Sequence, residues 1–333
     1  MASALRHRSK KTFFDGVGLT TLLVTLAMAL LISTEAMATK ILVLRSPVAA
    51  ADDVIAGFND ETDGEFELQI HTLNAESSNA EEIGTLLAET QPQALLLIDN
   101  ISLRLYKEYQ SSQPEGTAFP PAIALMAAFA QQSAKGLVNT TGIAYEVPAV
   151  TSMVNLRSIL GKPIKKVIVL YRKGFDDLIA QQRELAKRAN IELVGIRVKT
   201  KRVHKRIRKA LRRGMSDADA LWVLNDSKLL SKKAIVKGWL PALAGNTKPV
   251  VVGVPSILKP ELSFGSFGVL PDHFSLGTQA ASMIFELADN DWKIDDSPFG
   301  SPITVEKVLN MRFAKKHWNV TESGLAKVDR VVE

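Results

Sequence analysis

The chain is 333 residues long, carries 41 Lys and Arg against 35 Asp and Glu, and contains no cysteine. The missing thiols exclude a disulfide framework, a thiolate metal site, a cysteine nucleophile and a lipid anchor on cysteine. Hydrophobic residues at 46% and aromatic residues at 6% fit an ordinary globular α/β protein. The net charge of +6 is local, because residues 197–213 (RVKTKRVHKRIRKALRR) hold ten Lys or Arg and no acid, which leaves the rest slightly acidic.

Residues 1–38 have the order of a secretory signal peptide. Arg6, Arg8, Lys10 and Lys11 form a positive head, residues 17–32 are apolar, and Ala36-Met37-Ala38 supplies small residues at alternate positions. Cleavage is expected after Ala38. The apolar run falls short of the roughly 20 residues that span a bilayer comfortably, and His7 separates Arg6 from Arg8, so a twin-arginine signal is not expected. The reading is export to the periplasm, with about 295 residues left to fold, enough for two lobes.

Residues 40–45 (KILVLR) read as a strand that ends at Ser46-Pro47. Ser at an N-cap and Pro at the first helical position predict a helix over 48–58. Strands are expected at 67–73 and 94–98 with a helix at 80–89 between them, then at 122–126 and 141–144, with a helix over 148–160. A second series follows: strand 167–171 (VIVLY), helix 175–189, strand 192–198, helix 203–213, strand 220–224, helix 227–240 and strand 250–254. Short continuous apolar runs separated by helices mark strands of parallel sheets covered on both faces. The two series predict an α/β chain of two doubly wound lobes. A strand at 264–270, a helix at 274–289 and a strand at 305–311 complete the pattern, and imply that the chain crosses back between lobes.

Several segments resemble exported substrate-binding proteins of ABC transporters, a family that includes binders of aromatic amino acids. Residues 136–142 (GLVNTTG) are similar to the family's G-L-V-x-N-V-T-G turn, and 164–174 (IKKVIVLYRKG) to its A-K-K-I-G-V-L-Y-N-P-G. Phe267-Gly268-Val269, Leu276-Gly277 and Gln279-Ala280-Ala281 match its Y-G-V-D-Y-Y-E-L-G-R-Q-A-A; Asn310, Arg312, Ala314 and Lys315 match its closing N-L-K-T-A-K. The resemblance implies a type I periplasmic binding protein fold with a multi-strand hinge. Lobe 1 is expected over 39–145 plus 256–296, lobe 2 over 146–255 plus 297–325, and a tail over 326–333. The chain departs from the family at Asp99-Asn100, Ala128-Phe129-Ala130, Arg172-Lys173-Gly174 and Pro255-Ser256, so ligand identity does not carry over.

Open parallel sheets bind ligands beyond the carboxyl ends of their strands, and the candidate ligand residues lie there. Ser46 heads a helix whose N-terminus suits a carboxylate or phosphate, or it serves only as the cap. Asn225, Asp226 and Ser227 hold the same position in the second series; Asp226 would bind an amine or cap its helix. Asp99 and Asn100 follow a buried strand, as ligand groups, caps or lobe contacts. Arg172 offers a planar fork for a carboxylate and Tyr171 a flat surface, with a solvent-facing Arg172 the alternative. Phe129, Tyr145 and Ser256 complete the set.

Catalysis finds no support: G-x-S-x-G, H-E-x-x-H and a P-loop are absent, and the five histidines are scattered. No cofactor or metal is expected. The leading reading is a non-enzymatic solute-binding component of an ABC importer, capturing an amino acid or other small carboxylate between its lobes for a permease. The alternative is a periplasmic sensing or adaptor protein on the same scaffold. The basic run over 201–213 is either a solvated helix face or an electrostatic contact with an anionic membrane surface, an acidic partner or a phosphorylated polymer; nucleic acid is not expected outside the cytoplasm.

Overall fold

The computed structural model describes residues 39–294 and 299–333. The signal-peptide reading and the crossing expected near 296 lie outside these residues. Strands β1 (Thr39–Arg45), β2 (Phe66–Thr72), β3 (Ala94–Ile98), β4 (Ala122–Leu125) and β5 (Thr140–Gly142) form a first sheet in the order β2-β1-β3-β4-β5. A second sheet runs β12-β11-β10-β9-β8-β6-β7. Its strands are β6 (Lys166–Tyr171), β7 (Glu192–Arg197), β8 (Ala220–Val223), β9 (Val250–Val252), β10 (Phe267–Pro271), β11 (Val305–Asn310) and β12 (Arg330–Val332). β10 and β11 pair antiparallel, whereas β6 pairs in parallel with both β7 and β8.

The apolar runs lie between helical layers, as their lack of alternation requires. Ile41, Val43, Leu96 and Ile98 of the first sheet meet Val54 and Phe58 of α1 (Ala49–Thr62) on one face. Leu42, Leu44, Leu95 and Leu97 meet Ile83 of α2 (Ala80–Thr90) and Leu103 and Tyr106 of α3 (Asn100–Ser112) on the other. A short α4 (Ala130–Ser133) follows β4. The second sheet is covered by α5 (Ala149–Leu160) and α6 (Asp176–Lys187) on one side. On the other lie α7 (Val203–Gly214), α8 (Lys232–Ala234), a π-helical turn (Ile235–Trp239) and α9 (Leu240–Leu243). α10 (His273–Asp289) follows β10, and α11 (Met311–His317) and α12 (Glu322–Leu325) precede β12.

Four local expectations are corrected. α1 begins at Ala49, with Val48 at the cap position and no side-chain cap; Ser46 turns instead to a neighbouring strand end. The sequence reading passed over α3, which Asp99 caps through the Ile101 and Ser102 amides. The helix expected from 227 is delayed to Lys232, because Asp226 accepts the Lys228 amide and holds a turn there. Residues 330–332 form a strand parallel to β11 rather than a tail.

Among the described residues, the chain joins the sheets at 143–147, at 272 and at 300–304. After β5, Ile143 bridges Gly300, the Ala144 amide donates to Gly300 O at 2.8 Å, and the Gly300 amide to Gly142 O at 2.9 Å. After β10, the Asp272 amide donates to Thr304 O at 3.2 Å. β10, expected with the first lobe, hydrogen-bonds in the second sheet, while α10 packs on the first through α1. That packing needs glycine. A Cβ on Gly277 would stand 1.9 Å from Val54 O, and one on Gly57 2.0 Å from Phe274 O. Gly277→Ala is expected to lower stability by about 1–3 kcal/mol through overpacking, read as a fall in the urea midpoint. An unchanged midpoint would refute the close approach.

Candidate functional site

A sheet ordered 2-1-3-4-5 reverses its direction of growth between its first and third strands, and ligands bind in the crevice there. Both sheets have this order in their parallel part, so the ends of β1 and β3, and of β6 and β8, are equivalent positions. In each, the two strand ends are tied to one another.

At the first reversal the Ser46 amide donates to Asp99 Oδ2 at 2.8 Å, and Asp99 Oδ1 accepts the Ile101 amide at 2.7 Å and the Ser102 amide at 3.1 Å. Asp99 holds φ 95°, a region that side chains rarely adopt. The Ser46 hydroxyl is buried and has no hydrogen-bond partner among the described residues. The Asn100 amide is taken up by Ala128, whose N–H and C=O it meets at 2.9 Å each. Thus Asp99 and Asn100 are spent within the first lobe, and Ser46 Oγ remains unused.

At the second reversal Arg172 Nε donates to Asp226 Oδ2 at 2.7 Å, and Asp226 Oδ1 accepts the Lys228 amide at 2.9 Å. The Asp226 side chain is fully buried. A carboxylate so placed requires a cation, and Arg172 supplies it. The amine-binding and carboxylate-binding residues that the sequence offers therefore satisfy each other. Arg172 also lies over the Phe175 ring at 4.6 Å, and Phe175 meets Phe129 of the first lobe edge-on, centroids 4.5 Å apart.

The remaining candidates scatter. Tyr171 packs in the second lobe's core. Tyr145 stacks on His273 and its hydroxyl lies 2.9 Å from His273 Nε2, beside the hinge. Burial holds His273 below the ordinary histidine range. Asn225 borders a narrow gap with Tyr145 and Glu146. Ser227 and Ser256 face solvent.

Open space lies beside the hinge instead. A cavity of about 360 Å³ is walled by Phe129, Gln132 and Lys135 from the first lobe, by Asp177, Gln181 and Gln182 of α6 from the second, and by Glu146, Phe299 and Ser301 from the crossing strands. Its volume is in the range of small-molecule sites, about 300–1,000 Å³. Glu146 accepts the Phe129 amide at 2.9 Å, and burial pushes its carboxyl up to about 7. Sequence reasoning passed over Glu146; the available signal was one acid in an otherwise apolar crossing segment (GIAYEVPAV). Among the described residues no group of three or more His, Asp or Glu is arranged to hold a metal ion.

α7 presents Lys205, Arg206, Lys209, Arg212 and Arg213 outward while Ile207 and Leu211 are buried, so the helix is sharply two-faced. None of these five cations has a carboxylate within 4 Å among the described residues. Desolvation and the nearby Lys233, Lys205, Arg208 and Lys237 hold His204 below its usual range.

The fold has solved counterparts. The chain is similar to an ABC domain from Streptococcus pneumoniae in complex with L-Trp (18% identity, 88% of this chain and 99% of that one, TM-score 0.56). It is also similar to a conserved domain protein from Vibrio cholerae, with the same identity, coverage and TM-score of 0.56. A third is a ligand-free, open substrate-binding protein with adhesive properties from Clostridium difficile (16% identity, 88% and 99% coverage, TM-score 0.61). No family model matches the sequence, and no curated protein does. The likeness establishes the two-lobed type I periplasmic binding protein fold.

Two outcomes follow from the site. Arg172→Met leaves Asp226 buried and unpaired, and is expected to cost stability at the low end of the roughly 3–5 kcal/mol typical of a broken buried pair. Arg172→Met with Asp226→Leu should recover most of it; equal loss in single and double variants in urea would rule out the pairing. Glu146 keeps its proton up to about pH 7 when folded and releases it near 4.5 when unfolded. Folding therefore takes up a proton between these values, and stability falls as pH rises through the window, by up to about 1.4 kcal/mol per unit. Glu146→Gln should flatten that slope in pH-dependent thermal melts.

Proposed function

We propose that the protein is a non-enzymatic, exported solute-binding component of an ABC importer, which holds a small amino-acid-like ligand between its lobes and presents the closed form to a permease. The hinge-side cavity carries the reading, because its wall is drawn from both lobes and from two of the crossing strands. A ligand there touches both halves and favours the arrangement in which they meet. Asp177 offers a carboxylate to an ammonium, Glu146 a carboxyl that an adjacent ammonium would help to ionise, Lys135 a cation to a carboxylate, and Phe129, Phe299 and Leu178 an apolar lining. The binding proteins to which the fold is similar, one of them with L-Trp, support the class. The signal-like order of residues 1–38 supports export, and among the described residues no helix is long and apolar enough to cross a membrane. In this reading the lobes meet at the crossings near 145, 272 and 300–304.

A sensing or adaptor role on the same scaffold is favoured by the tied strand ends and by the unpaired cations of α7, which would meet an acidic partner. Mass spectrometry of small molecules released from protein purified from its native host separates the two. A stoichiometric amino-acid-like compound is expected for import, and Glu146→Gln should weaken its binding about tenfold or more with the fold intact. An empty protein whose melting temperature no amino acid raises would overturn import in favour of the adaptor, and Lys205→Glu with Lys209→Glu should then abolish capture of the acidic partner.

A further inference from the structure

A second concavity, about 680 Å³, opens beyond the carboxyl ends of β6 and β7. Its lining includes Arg172, Lys173, Arg197, Lys199, Thr200 and Lys201. Five cations converge there, and the acids near them are few. Asp176 lies 3.7 Å from Arg197, and Asp226 is occupied by Arg172 Nε. Lys173, Lys199 and Lys201 have no carboxylate within 4 Å among the described residues. Like charges gathered in one concavity repel, and each lowers the cost of binding an anion.

Arg172 distinguishes this concavity from an ordinary basic surface. Most surface arginines sweep a wide volume, and their ordering opposes binding. Here Nε is pinned on a buried carboxylate at 2.7 Å, and Cζ lies over the Phe175 ring, 4.6 Å from its centroid. The two Nη groups make no hydrogen bond within the protein among the described residues. The fork is thus oriented before any ligand arrives, as bidentate recognition of an oxyanion requires. The lysines supply mobile point charges around it. One carboxylate would neutralise a single cation and leave the others facing each other; a phosphate, or two linked phosphates, matches several at once.

We propose that Arg172, Lys173, Arg197, Lys199 and Lys201 form a binding site for a multiply charged phosphate group, separate from the hinge-side cavity. The sites share an aromatic wall, since Phe175 contacts Arg172 on one side and Phe129, which lines the hinge-side cavity, on the other. The phosphate belongs to a soluble compound or to a lipid headgroup, and the chemistry at the fork is the same.

The test is calorimetric titration of the full chain with inorganic pyrophosphate at low and at moderate salt, with parallel flotation on vesicles containing phosphatidic acid. Saturable, salt-sensitive binding of pyrophosphate is expected. Arg197→Gln with Lys199→Gln, both solvent-facing, should weaken it about tenfold or more while the melting temperature is unchanged. Lys173→Gln with Lys201→Gln provides an independent pair if the first fails to fold. Vesicle binding lost in these variants without pyrophosphate binding assigns the phosphate to a headgroup. Equal binding by wild type and both variants, or no binding to pyrophosphate and vesicles alike, overturns the site. Release of an amino-acid-like ligand from the hinge-side cavity is read separately and does not depend on this result.

Discussion

A carboxylate with no exposed surface sits at the end of β8, and the neighbouring architecture follows from neutralising it. Asp226 is 54 residues from Arg172 in sequence, yet β6 and β8 adjoin where the sheet reverses, so their loops face each other. Burying either charge alone would cost several kcal/mol. Paired, the two close the crevice and fix the guanidinium. Phe175 lies under its Cζ and carries its order to Phe129 in the other lobe, whose amide donates to Glu146. A charge pair at one sheet's edge is in this way connected, through two rings, to the protonation-sensitive carboxyl of the hinge.

The first sheet solves its reversal with backbone rather than charge. Asp99 bears a positive φ, a conformation that costs on the order of 1–3 kcal/mol. Three amide donors converge on its carboxylate and offset that cost, one of them from Ser46 across the reversal. Open sheets of this order ordinarily leave their reversal crevices for ligands. With both tied internally, space is left to either side, at the hinge and beyond β6 and β7. Among the described residues, two polar groups that lack a hydrogen-bond partner, Ser46 Oγ and the Nη groups of Arg172, border those closed crevices.

The buried strands were legible because a run such as ALLLI at 94–98 has no polar alternation and admits only a site covered on both faces. Two series of such runs gave the two-lobed plan. Helix α3 was not legible in the same way: its sequence, NISLRLYKEYQSS, is polar overall and spaces its buried Leu103 and Tyr106 among charged residues. Local signals also misled at Ser46, where Ser-Pro reads as a cap until a strand 53 residues away offers Asp99 to its amide. Arg172 and Asp226 were recognisable as important but not as partners, because pairing depends on strand order, which the linear sequence does not display. Glu146 escaped for a related reason. A single acid in a crossing segment gains its unusual proton affinity only when the sheets on either side enclose it.

Hydrogen bonds along the crossing strands and an aromatic contact across the gap join the lobes. The pairs Ala144–Gly300, Gly300–Gly142 and Asp272–Thr304 run along the crossing strands and would survive a rotation around them. The Phe129–Phe175 contact lies across the gap and would not. An aromatic pair contributes about 0.5–1.5 kcal/mol beyond the area it buries, so any arrangement that keeps these rings together gains that much. A molecule in the adjoining cavity that touched both rings would favour the arrangement in which they meet, and a few kcal/mol of such preference would move a two-state equilibrium through most of its range. A similar argument applies from the other side of Phe175: an anion held by Arg172 would restrain the ring, and the two cavities would then influence each other through one aromatic contact.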